Sequence, residues 1–109
     1  MNNKKEKYII SWGELHATIF ENLIKDFNNE GFKYFILRNY EELPQKNSSK
    51  DVDIIIEPGS YALASMLLKK ILIKNKIANF KVVKYERVSC CFGIDIANNF
   101  SIHIDLIEG

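Results

Sequence analysis

The stretch of sequence that decides the fold is Asp51-Val52-Asp53-Ile54-Ile55-Ile56-Glu57. Its β-branched residues, and the Pro58-Gly59 turn that comes after them, predict a strand over residues 51–57. Side chains two positions apart on a strand point the same way, with their Cα atoms about 7 Å apart. Asp51 and Asp53 therefore share one face of the strand, and the apolar residues that alternate with them occupy the other.

Amphipathic helices are predicted on both sides of this strand in the sequence. Upstream, apolar residues recur at helical spacing over residues 12–29, behind a capping box formed by Ser11 and Glu14, and Gly31 is a natural helix end. Downstream, a second helix is predicted over residues 60–74. Each helix has one apolar face, so each needs a surface to pack against.

The other predicted elements are four strands and one irregular polar loop. The loop covers residues 39–50, and the strands cover residues 33–38, 81–85, 88–96 and 100–107. Together with the central strand they supply enough sheet to cover the apolar faces of both helices. One domain is expected, over residues 1–109, with residues 1–10 as an N-terminal extension.

The last two strands are predicted to form a hairpin closed by residues 97–99. In that register the apolar pairs are Ile96 with Phe100, Ile94 with Ile102, and Phe92 with Ile104. The opposite side then gathers Cys91, Gly93, Asp95, Ser101, His103 and Asp105. The sheet has one apolar face for the helices and one polar face left open, which predicts an α/β (α+β two-layer) domain with a mixed sheet and helices on one face.

Composition restricts the classes of function. Lys and Arg total 15 against 14 Asp and Glu, a balance that argues against a dedicated nucleic-acid or membrane-surface binder. No apolar run approaches the roughly 20 residues of a membrane span, and no export signal is predicted. The adjacent residues Cys90 and Cys91 are interpreted as two reduced thiols of a cytoplasmic protein.

Asp51, Asp53 and Asp105 are the candidate metal ligands. At about 4 Å and an effective dielectric near 20, each pair of carboxylates on one sheet face costs roughly 4 kcal/mol of repulsion. A divalent cation removes that cost, and an all-oxygen ligand set suits Mg²⁺ or Mn²⁺. The alternative is that Asp51 is a turn or cap residue and Asp105 a solvated charge. An isolated Asp-x-Asp pair often has no metal-binding role.

Four motifs in this order resemble the polymerase beta-like nucleotidyltransferase superfamily. They are Ile36-Leu37-Arg38-Asn39-Tyr40, the Glu-Glu-Leu-Pro loop at residues 41–44, Asp51-Val-Asp53-Ile-Ile-Ile, and Ile102-His-Ile-Asp105-Leu. The pattern looks closest to a bacterial branch with Leu-Arg-x-Tyr…Pro…Asp-x-Asp, often associated with polysaccharide biosynthesis. The resemblance implies a nucleotidyltransferase-like fold, two metal ions on the three aspartates, an NTP substrate, and Asp105 as the group that helps to deprotonate the acceptor hydroxyl.

One departure from the superfamily pattern concerns the phosphates. A Gly-Gly or Gly-Ser turn usually comes after the first strand, but here Arg38-Asn39 takes its place. Arg38 then contributes charge to the phosphates directly, with Asn39, Ser48, Ser49 and Lys50 as further nucleotide-binding candidates, or the site no longer binds nucleotide in the usual way. An ordinary polar loop explains residues 48–50 equally well. The C-terminal region that grips the base or acceptor in many members of the superfamily is expected to be minimal here, supplied by a partner chain, or missing from this sequence.

Three functions remain open on the sequence alone. The first is a metal-dependent transferase that moves an NMP from an NTP to a hydroxyl or phosphate acceptor. The second is a degenerate, non-catalytic module that binds a ligand or a partner chain. The third, a glycosyltransferase, is disfavoured by the short chain.

Two histidines are not assigned to the site. His103 is interpreted as a solvated strand histidine, and His16 is interpreted as a helix-flank residue.

Overall fold

The computed structural model describes residues 12–37, 43–44 and 51–109, which form two helices and five strands. In chain order the elements are α1 (Glu14–Glu30), β1 (Tyr34–Leu37), β2 (Val52–Ile56), α2 (Tyr61–Lys74), β3 (Asn79–Tyr85), β4 (Val88–Asp95) and β5 (Phe100–Glu108). Each lies within two residues of its predicted bounds. The predicted N-terminal extension and the cap residue Ser11 lie outside the described residues.

The five strands form one mixed sheet in the order β1-β2-β5-β4-β3. β2 and β5 run parallel, and the other neighbouring pairs are antiparallel. The even-numbered residues of β2 and β5 all lie on one face of the sheet. They form the hydrophobic core together with the buried sides of both helices. The predicted α/β two-layer architecture, with a mixed sheet and helices on one face, is confirmed. Neither helix in the described ranges is long and apolar enough to cross a membrane.

The first helix begins differently from the prediction. It starts at Glu14 behind Gly13, whose N–H donates to Nδ1 of His16 at 3.0 Å. His16 is only 6% exposed, so its interpretation as a helix-flank residue was wrong. At the other end Gly31 adopts φ +83° and its N–H donates to the Phe27 carbonyl, the left-handed helix end that the sequence predicted.

The register of the β4–β5 hairpin differs from the prediction by one residue. Asp95 pairs with Phe100 and Cys90 pairs with Asp105, so the loop has four residues, Ile96 to Asn99. Asn99 closes that loop with φ +52°, and the Asn98 N–H donates to the Asp95 carboxylate. The shift turns Cys91 and Gly93 to the helix side and brings Cys90 to the open side.

Close packing beneath α2 explains why this register is favoured. A Cβ built on Gly93 would lie 2.9 Å from both methyl carbons of Leu72, so any side chain there would force the buried Leu72 side chain to shift. Ile96, which the prediction placed in an apolar pair, is 82% exposed in the loop. The alternation of apolar residues along β4 therefore does not determine which face of this strand packs against the helices.

The open face of the sheet is also less polar than predicted. It carries exposed apolar side chains toward both edges, among them Phe35 at 68% and Tyr85 at 61% exposure. Ile55 pairs with Phe35 and with Ile107, which extends the apolar row across the sheet. The polar groups are concentrated in the adjacent rows, around Asp105.

Candidate metal centre

Two aspartates from neighbouring strands lie side by side on the open face. Asp53 of β2 and Asp105 of β5 are in-register partners in the parallel pair. Neighbouring strands are about 4.8 Å apart, so two such side chains on one face cannot avoid each other. Asp53 is 9% exposed, and the Asp105 side chain is 15% exposed.

Asp51 completes the group from the residue just before β2. One carboxylate oxygen from each of Asp51, Asp53 and Asp105 can be chosen so that all three lie within 4.8 Å of one another. The structure thus brings together the three aspartates that the sequence singled out. We call this group the acidic triad.

Local sequence explains why these carboxylates face outward. Asp53 stands between Val52 and Ile54, and Asp105 stands between Ile104 and Leu106; all four apolar neighbours are buried on the helix side. Strand alternation then directs both aspartates to the open face.

The surroundings of Asp105 raise its pKa. Burial raises the pKa of the Asp105 carboxyl most strongly, and the hydrogen bond it shares with Asp51 raises the pKa further. Contacts with Cys90 and His103 act in the opposite direction. A partly buried carboxyl beside another carboxyl is in a site suited to added positive charge, and the all-oxygen donor set of the triad fits Mg²⁺ or Mn²⁺.

His103 and Cys90 are neighbours of Asp105 that sequence reasoning did not assign to the site. The His103 Nε2 atom lies 2.7 Å from Asp105 Oδ1, and the imidazole stacks on Phe92 with ring centroids 4.3 Å apart. Cys90 is the cross-strand partner of Asp105. The predicted register placed Cys91 there instead. Cys91 faces the helices, and burial raises its pKa to about 12.

The predicted nucleotide-binding residues Arg38, Asn39, Ser48, Ser49 and Lys50 lie outside the described residues. No family model matches the chain, and no curated protein matches it. The resemblance to the nucleotidyltransferase superfamily accordingly stays a prediction. The acidic triad and its surroundings are therefore the basis on which we infer a function.

Proposed function

We propose that this domain is a metal-dependent nucleotidyltransferase, which moves a nucleoside monophosphate from an NTP to a hydroxyl or phosphate acceptor. The observation that carries the proposal is the in-register placement of Asp53 and Asp105 on parallel strands, with the Asp51 carboxylate within 4.8 Å of both. Phosphoryl transfer needs little covalent chemistry from a protein but needs positioned charge at the phosphates.

Each residue of the acidic triad has a defined part in this reaction. Asp51, Asp53 and Asp105 would hold Mg²⁺ or Mn²⁺, which supplies positive charge against the phosphates of the NTP. Asp105 would also take the proton of an acceptor hydroxyl, as the resemblance implies. The acceptor oxygen forms a bond to the α-phosphorus, the bond from that phosphorus to the bridging oxygen breaks, and pyrophosphate leaves.

The position of the triad relative to the core supports this use of the open face. Among the described residues the helices cover the opposite face, so the core does not lie between the triad and a substrate on the open side. Leu37, the last described residue of β1, is the cross-strand partner of Asp53. The chain therefore leaves β1 beside the triad, and for that reason we retain Arg38 as the candidate phosphate ligand.

Calorimetry with each NTP in turn, in the presence of Mg²⁺, tests the proposal. The wild-type domain is expected to bind at least one NTP, and Asp53→Asn is expected to lose that binding because it would lack a ligand for the metal that supplies positive charge to the phosphates. Asp26→Asn on α1 is the matched control, since it removes one carboxylate remote from the triad and should leave binding unchanged.

A degenerate binding module is the alternative, and the specific observation in its favour is the missing glycine turn at Arg38-Asn39. It predicts that a folded domain with Mg²⁺ bound shows no heat with any NTP. That outcome would reject the transferase and leave the metal site standing.

A further inference from the structure

A second set of metal-ligand side chains lies on the open face, on the side of Asp105 away from Asp53. β5 stands between β2 and β4, so Asp105 has Asp53 as its neighbour on one side and Cys90 on the other. His103, two residues earlier on β5, points to the same face. One ligand atom from each of Cys90, His103 and Asp105 can be chosen so that all lie within 4.8 Å of one another.

We propose that Cys90, His103 and Asp105 form a site for a divalent transition-metal ion of the zinc class. The site is separate from the acidic triad in two of its three ligands and is joined to it through Asp105. It does not require that the domain be a nucleotidyltransferase.

The chemistry of the donors selects this class of ion. Sulfur and imidazole nitrogen favour Zn²⁺ and Co²⁺ over Mg²⁺, which prefers oxygen. Three protein ligands leave the fourth tetrahedral position for water or a substrate atom, as in catalytic zinc sites. The acidic triad, with oxygen donors only, has the opposite preference, so the two sites discriminate between ions.

The distances suit a tetrahedral ion after small side-chain rotations. Zinc bonds of about 2.0–2.3 Å place neighbouring ligand atoms roughly 3.3–3.8 Å apart. The three donors are within 4.8 Å, and His103 Nε2 and Asp105 Oδ1, now in contact at 2.7 Å, need to separate by only about 0.6 Å.

The ring of His103 is already oriented for this role. Phe92, the cross-strand partner of His103, stacks on the imidazole with an interplanar angle of 25°. The stack restricts the ring while 27% of the His103 side chain stays exposed, so an ion can enter from solvent. Less rotational freedom is lost on binding when a ligand is held in place beforehand.

Cobalt binding by the full chain, stripped of metal and free of any affinity tag, tests the proposal. We expect Co²⁺ to give a thiolate-to-cobalt charge-transfer absorption that added Zn²⁺ abolishes. Cys90→Ala should remove this absorption and weaken Zn²⁺ binding by more than roughly 100-fold, because even outer-shell partners of a metal change affinity by about 10–100-fold. Cys91→Ala is the matched control and should keep the absorption, since Cys91 faces the helices.

Two further variants make the result unambiguous. His103→Gln should weaken Zn²⁺ binding while Cys90 is intact, which keeps the test open if Cys90→Ala does not fold. Asp53→Asn should keep the cobalt absorption, because it removes only a ligand of the acidic triad. If Asp53→Asn also loses stabilisation by Mg²⁺, that result concerns the proposed function alone. The two proposals can therefore be rejected independently.

Absence of a charge-transfer absorption in the folded wild-type chain would overturn the proposal. So would an absorption that survives Cys90→Ala, or one that disappears in Cys91→Ala in place of Cys90→Ala.

Discussion

Asp53 and Asp105 occupy the same level of two neighbouring parallel strands, and their carboxylates face the same side of the sheet. An apolar or amide side chain at either position would remove the repulsion between them. Two carboxylates at this spacing repel each other unless a proton, a hydrogen bond or a cation offsets the repulsion, and the proposed metal ion would supply that positive charge.

The first prediction concerns the metal-free domain. In the presence of a chelator at neutral pH, Asp53→Asn should leave the free energy of unfolding unchanged or raise it by up to about 2 kcal/mol, because it relieves part of a repulsion of roughly 4 kcal/mol per close pair. Urea denaturation measures the change, with Asp26→Asn expected within about 0.5 kcal/mol of wild type. A clear loss of stability in Asp53→Asn would mean that this carboxylate is stabilised by its surroundings.

The second prediction separates nucleotide binding from transfer. Arg38→Ala should weaken NTP binding roughly 10- to 100-fold, because hydrogen bonds to charged groups contribute about 1.5–3 kcal/mol. Asp105→Ala leaves Asp51 and Asp53 as metal ligands, so it should keep much of the NTP binding. It should stop pyrophosphate release with hydroxyl acceptors, since the second proposed role of Asp105 is to take the proton of the acceptor oxygen. Calorimetry and a pyrophosphate assay measure the two effects. Equal loss of binding in both variants would contradict this division of roles.

The third prediction uses the buried histidine of α1. His16 Nδ1 accepts the Gly13 N–H, and Nε2 donates to the Ser101 carbonyl at 2.7 Å, so the neutral ring fits the fold. Burial lowers the pKa of His16 below its ordinary value of 6.5, although the bond to Ser101 raises it in part. Below about 6.5 the unfolded chain therefore binds a proton that the native protein does not, and stability falls as pH falls.

The pH dependence of the free energy of unfolding shows whether His16 causes this loss of stability. Wild type should lose up to about 1.4 kcal/mol of stability per pH unit as the pH decreases through the range between the unfolded and the lower folded pKa of His16. His16→Gln, which titrates nowhere in this range, should lose correspondingly less. Chemical denaturation at several pH values gives both slopes. Parallel slopes in the two proteins would show that His16 keeps an ordinary pKa in the fold.

The fourth prediction tests the register of the β4–β5 hairpin. A thiol reagent added to the native, metal-free protein should label Cys90 faster than Cys91. Cys91 is 1% exposed and burial raises its pKa to about 12, whereas Cys90 is only half-buried, although burial and the nearby Asp105 raise its pKa as well. Cys91→Ala should keep the fast labelling, and Cys90→Ala should lose it. The reverse result would restore the register that the sequence predicted.

Comparison of sequence and structure shows which features the residues encode locally. Alternation around Asp53 was enough to predict the strand and the shared face of Asp51 and Asp53. The amphipathic helices and the alternation around Asp105 completed the prediction of a two-layer fold. The predicted hairpin register was wrong because it assumed that the large apolar residues of β4 face the helices. In the structure Gly93 faces the helices, where it makes room for Leu72, and Phe92 faces the open side. Because of that error, Cys91 and not Cys90 was predicted to lie beside Asp105.

His16 was missed for a related reason. Its helical position alone does not reveal that β5 supplies a carbonyl acceptor 85 residues further along the chain, at Ser101. Pairing between distant segments determines both this contact and the hairpin register, and local patterns carry little information about it.

Thermal unfolding with and without Mg²⁺, in wild type and in Asp53→Asn, tests the central claim most directly. An ion that binds only the native state stabilises it by about 1.4 kcal/mol at ten times its Kd. For a domain of this size that is roughly a 5–10 °C rise in Tm. We predict that millimolar Mg²⁺ produces this rise in wild type and in Asp26→Asn, and none in Asp53→Asn. The same rise in Asp53→Asn, or no rise in wild type, would contradict a metal site on Asp51, Asp53 and Asp105.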